Sequence, residues 1–221
     1  MDREQSWQVI TEQRRGLARL LEDLSESEWE QPSLCAGWRV RDVAAHVAMA
    51  PQVPALGSML ADVLRARGSF HRLNHDGAVR HAARPTSTIV AELRAHADSR
   101  RLPVVTNYRI ILFDVLVHTQ DIAIPLSRDY PIPPAAARAG ASRVWTMGWP
   151  FWARHRHRGV RLIATDTDWS VGAGLELRGP IGMLLLLLTG RTATAIPHLS
   201  GPGRSTLTER FQLPRADTEQ G

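Results

Sequence analysis

An aspartate and a histidine stand four residues apart in Leu112-Phe113-Asp114-Val115-Leu116-Val117-His118, and every other residue of the stretch is apolar. Four residues is just over one helical turn, so both side chains leave the same face about 6 Å apart along the axis. A carboxylate among isoleucine, leucine, phenylalanine and valine is costly to bury unpaired, so something positive must meet it. A hydrogen bond to the histidine or to an arginine is one solution, and a metal ion shared by both side chains is the other; spacing does not choose between them. His46 poses the same question in Asp42-Val43-Ala44-Ala45-His46-Val47-Ala48, as an imidazole in an otherwise apolar helical stripe.

Other polar clusters read more plainly. His71, His75 and His81, with Asp76, fall in a polar segment over 68–84 that reads as a solvated loop. His155 and His157 lie in an arginine-rich stretch and are expected to be exposed. Cys35 has no nearby base in the sequence and suits a small buried residue beside Trp38. Trp145, Trp149 and Trp152 follow helical spacing, as core or domain-interface residues would. Asp166 and Asp168 suit a tight turn.

These residues need elements to hold them. Apolar positions recur at helical spacing from Trp7 to Leu24, and Ser25 followed by Glu28 has the form of a capping box. A helix starts near Trp38 and is bent or interrupted by Pro51 and Pro54. Further helices are predicted after Pro85, over 108–124 following Pro103, and from Pro133-Pro134 through Trp145. Helix after helix with short connections describes an antiparallel bundle. Beyond residue 155 the pattern changes to three short strands over 160–165, 169–171 and 175–178. An apolar helix over 180–189 and a last helix near 205–211 follow. The expected organisation is α+β: a helical bundle over 1–155, then a small domain over 156–221 with a short antiparallel sheet and a frayed tail over 215–221.

Composition removes several classes of function. All 27 basic residues are arginine, which excludes a Schiff-base lysine and a phosphate-loop lysine. The net charge of +5 comes from scattered arginines with acids between most of them, a solvated surface rather than a nucleic-acid interface, although such a field favours anionic small substrates. One cysteine excludes an internal disulfide and a multi-cysteine metal site. The polar start is no signal peptide, and the apolar run 181–188 is far short of the ~20 residues a membrane helix needs. The expectation is a cytoplasmic protein with no membrane or nucleic-acid partner, as a monomer or homodimer.

The stretch Pro32-Ser33-Leu34-Cys35-Ala36-Gly37-Trp38-Arg39-Val40-Arg41-Asp42-Val43-Ala44-Ala45-His46 resembles the N-terminal signature of the mycothiol-dependent maleylpyruvate isomerase family, within the DinB-like metal-binding four-helix bundles. Asp114 to Asp121, with its His-Thr-Gln-Asp, resembles that family's second motif. The run from Thr165-Asp166 through Trp169-Ser170-Val171-Gly172 to Leu186-Leu187-Leu188-Thr189-Gly190-Arg191 is similar to its small C-terminal domain. The resemblance implies a metal site of His46, Asp114 and His118. Asp114 stands where the family carries a glutamate and is one methylene shorter. Two histidines and a carboxylate leave a coordination position open, the catalytic pattern for zinc, although iron, manganese or nickel take the same ligands. Asp121 suits a residue that orients a ligand or a structural acceptor.

The function so implied is metal-assisted chemistry with a small thiol, mycothiol, acting on a small electrophile by isomerisation or S-transfer. A non-catalytic metal-binding or regulatory relative, or a hydrolase using bound water, is the alternative. Arg191 is a candidate partner for a substrate carboxylate.

Overall fold

Asp2 opens the first helix by a reciprocal pair of bonds: its carboxylate accepts the Gln5 backbone N–H, and the Gln5 side chain accepts the Asp2 N–H. In this computed structural model, which describes residues 1–52, 70–102 and 106–213, the helix α1 spans Arg3–Glu22. A short α2, Glu26–Trp29, carries the expected Ser25–Glu28 capping box. Then come α3 (Val40–Met49), α4 (Phe70–Ala82), α5 (Thr86–Ala95) and α6 (Tyr108–Ala123). Asn107 caps α6 by accepting the Arg109 and Ile110 N–H groups.

Four of these helices close a ring in which α1 packs on α5 and α6, and α3 packs on the same two. Each contributes an apolar stripe of fully buried side chains: Ile10, Leu17 and Leu21 from α1, Val43 from α3, Ile89 and Leu93 from α5, Leu112 and Leu116 from α6. Burying one such side chain contributes about 1.5–3 kcal/mol, so the shared interior rather than helix propensity holds the ring together. The helix α4, which packs on α3, replaces the loop expected over 68–84. Its histidines and arginines hide the apolar period, and buried Ala78 and Ala82 supply the inner face. Pro54, Pro103 and the tail over 215–221 lie outside the described residues.

Packing divides the chain into two units, Asp2–Pro131 and Ile132–Gly221, where the sequence placed a boundary near residue 155. The helix α7, Pro134–Thr146, belongs with the second unit because it packs on the leucine helix α9, Ile181–Leu188. Leu184 to Leu188 are all fully buried, which is why α9 is apolar all round. Between them lie α8 (Ala153–Arg156) and the strands β1 (Val160–Ala164), β2 (Ser170–Gly172) and β3 (Leu175–Gly179). After α9 come α10 (Thr192–Ala195), a 3₁₀ turn over Ile196–His198, and α11 (Gly203–Arg210).

The sheet is mixed, in the order β2-β1-β3, and not wholly antiparallel as expected. β1 pairs antiparallel with β2 and parallel with β3, so the chain crosses the start of β1 between them. A Cβ on Gly174 would stand 2.1 Å from the Gly159 carbonyl oxygen, and its φ of +116° suits glycine alone, so this crossing exists because the residue has no side chain. Asp166, expected in a turn, also accepts the Ile181 N–H at 2.8 Å and so caps α9.

The tryptophans depart from a core role. Trp149 is 50% exposed and Trp152 is 55% exposed, while Trp145 is partly covered. His157, expected to be exposed, is buried: its Nδ1 lies 2.9 Å from the Ala153 carbonyl oxygen and its ring faces Phe211. Among the described residues, no helix is long and apolar enough to cross a membrane.

Candidate metal centre

Two helices of the bundle bring the chemistry-bearing residues together. The start of α3 is fixed by Asp42, whose buried carboxylate accepts the Arg39 backbone N–H at 2.9 Å and pairs with the Arg39 guanidinium. One turn after Asp42, His46 points at α6. From α6, Asp114 and His118 leave the same face, as their spacing requires. His46 Nε2 stands 3.8 Å from Asp114 Oδ2, and His118 Nε2 stands 3.4 Å from Asp114 Oδ1. The ligand atoms of all three lie within 4.8 Å of one another.

Donors at about 2 Å from one tetrahedral ion stand roughly 3.3 Å apart. The two histidine–aspartate separations need to close by about half an ångström or less, and all three donors lie within 4.8 Å of one another, so the donor set fits a divalent cation. Three ligands, none of them cysteine, also leave room for a fourth from solution. The side chains of His46 and Asp114 are 22% and 26% exposed, so that room is reachable.

Electrostatics in the cluster follow the geometry. Burial by itself would raise the Asp114 carboxyl, but the charge of His118 and the close approach of both imidazoles outweigh it and hold it far below the usual range. Burial would lower His118, yet Asp114 on one side and Asp121 on the other raise it well above an ordinary histidine. The Asp121 carboxylate is fully buried and lies 2.8 Å from His118 Nδ1. Asp121 accepts the Nδ1 proton, so Nε2, the atom facing Asp114, is the one that would give up its proton to a bound cation.

Cys35 corrects the sequence reading, which gave it no base. Its Sγ donates to Asp121 Oδ2 at 3.1 Å and lies 3.8 Å from His118 Nδ1. The Leu34 N–H also donates to the Asp121 carbonyl, so the turn before α3 is tied twice to the end of α6. Trp38, in the same turn, places its ring 5.3 Å from that of His46 and stacks at 6.2 Å on His118. The ring of His75 in α4 also lies 6.3 Å from that of Trp38. No local signal marks Cys35, because its partners lie more than eighty residues away.

The remaining candidates have structural partners. His81 and Arg84 both pair with Glu92. Arg191 precedes α10 in the second unit, and its guanidinium donates to the Thr189 carbonyl at 2.7 Å.

Four helices closing around two imidazoles and two carboxylates have the DinB-like bundle fold. The profile of the mycothiol maleylpyruvate isomerase N-terminal domain matches residues 10–123, just over half of the chain, and the chain belongs to that family. Two solved structures are similar over almost their whole length: the mycothiol-dependent maleylpyruvate isomerase and a variant of it with one histidine replaced by alanine. Each aligns with a TM-score of 0.62 at 14% identity, covering 91% of this chain and 93% of the other, a likeness of fold. A comparison with curated proteins returns no match.

Proposed function

We propose that the protein is a zinc-dependent enzyme of the cytoplasm that uses a small thiol, mycothiol, to isomerise or to thiolate a small, anionic electrophile. The observation that carries this reading is the convergence of His46, Asp114 and His118 in a chain of this family. A cation held there supplies Lewis acidity toward a thiol or water, easing loss of its proton near neutral pH.

The chain's own side chains do the rest. His46, Asp114 and His118 hold the cation and leave one side of it reachable. Asp121 keeps His118 in the tautomer that presents Nε2. Trp38 packs its ring against both imidazoles and limits how they turn. For a cis-unsaturated acid, addition of the thiol's sulfur to the conjugated double bond leaves a single bond free to rotate, and expulsion of the thiol returns the trans isomer.

The test is incubation of the purified protein with mycothiol and either maleylpyruvate or an alkylating electrophile, with and without a chelator. Turnover should need both thiol and divalent cation, and His46→Ala should abolish it. Turnover without thiol would point to hydrolysis by bound water, and a protein that binds metal but shows no turnover would overturn the enzymatic reading.

A further inference from the structure

In the second unit an open concavity of about 340 Å³ is lined by His155, Arg156, Arg158, Arg210 and Phe211. Its polar lining is cationic or cationisable throughout, with no acid. Arginines elsewhere meet carboxylates: Arg39, Arg84, Arg128 and Arg178 each have one within 3.0 Å. Among the described residues Arg156, Arg158 and Arg210 have none.

Two of the three have work that leaves their charge uncompensated. Arg210 donates to the carbonyls of Arg156 at 2.8 Å and Arg158 at 2.9 Å. These carbonyls, at the end of α8 and just beyond it, hold Arg210 in place but carry no formal negative charge. Arg156 lies over the Phe211 ring at 5.1 Å. Stacking uses the face of a guanidinium and leaves its in-plane N–H donors for a ligand. Arg158 is exposed and has no side-chain partner among the described residues. Gathering these charges costs repulsion that a bound anion would relieve.

A separate sign of the local field is His157, buried beneath Phe211. Burial depresses its protonation most, and Arg156 and Arg210 both add to the effect.

We propose that this pocket is an oxyanion site, which takes a small organic phosphate or carboxylate on the guanidinium groups of Arg156 and Arg158, with Phe211 as its apolar wall. The geometry suits an oxyanion because planar N–H pairs match its oxygens bidentately. The volume exceeds that of a bare inorganic ion and admits a ligand with a flat organic body. This site lies wholly within the second unit and does not depend on the reading of the metal cluster.

The test titrates the full chain with phenyl phosphate and, separately, with benzoate, which share a body and differ in the oxyanion. Binding is followed through the arginine Nε–H resonances by nuclear magnetic resonance. Saturable shifts at Arg156 and Arg158 are expected with one ligand or both, and the ligand that saturates assigns the phosphate or the carboxylate class. Arg158→Ala should weaken that affinity at least roughly fivefold, while Arg178→Ala, an exposed arginine of β3 paired with Glu176, should leave it unchanged. Shifts that never saturate with either ligand, or equal weakening by both substitutions, would overturn the proposal.

Discussion

Asp121 is the residue whose removal separates holding a cation from merely filling a core. Its carboxylate accepts from His118 and from Cys35, so Asp121→Asn keeps the shape and loses the anion that fixes the His118 tautomer. Loss of such an orienting carboxylate typically costs 10- to 100-fold in metal affinity. We expect a fall of about that size in zinc affinity, measured by competition with a chromophoric chelator; an unchanged affinity would make Asp121 a structural acceptor only. The i, i+4 pair in α6 was legible as a pair, because helix geometry alone puts Asp114 and His118 on one face. His46 joined them only through the resemblance, since no local pattern links residues 46 and 114. Cys35 was misread for the same reason: its partners come from the far end of α6, a tertiary contact that local sequence does not encode.

At the scale of elements, two glycines make different demands. Gly174 lets the chain pass over the start of β1, where a methyl group would collide with backbone. Gly37 also has a positive φ, +79°, in the turn that carries Trp38, but a methyl group there would meet open space. Gly174→Ala should therefore destabilise by several kcal/mol, and Gly37→Ala by only about 1 kcal/mol. Urea denaturation of the two variants checks the order, and equal losses would mean that strain rather than collision governs both. Helix and strand positions were readable from capping boxes, prolines and apolar periods. The pairing of β3 was not, because the turn at 173–174 reads as a hairpin and only the steric demand at Gly174 marks the crossing. The helix α4 was missed because its polar histidines and arginines outnumber its buried alanines.

Across the whole molecule, one contribution to acid stability comes from a histidine outside the metal cluster. His157 is pushed down to about 4, chiefly by burial, with only partial relief from the Ala153 carbonyl. Above its ordinary value near 6.5 the ring is neutral in both folded and unfolded chains, so no penalty arises. As pH falls from 6.5 to 4 the unfolded chain takes a proton that the folded one refuses, and stability drops by about 3 kcal/mol in total. Below 4 the loss levels off. Urea melts of His157→Gln at pH 7.5 and 4.5 should show a smaller loss than those of the parent chain, and identical losses would remove His157 from the acid response. The cluster of α3 and α6 acts on the same balance by another route. One cysteine leaves the chain without a covalent strap, yet His46 and Asp114 face each other across about 70 residues of sequence. An ion gripped by both would behave as a removable crosslink, narrowing the wandering of the unfolded chain only when it stays attached and favouring the native bundle in proportion to the supply of free ion. Trace-element availability would then set how much of this protein is folded as well as how much is active.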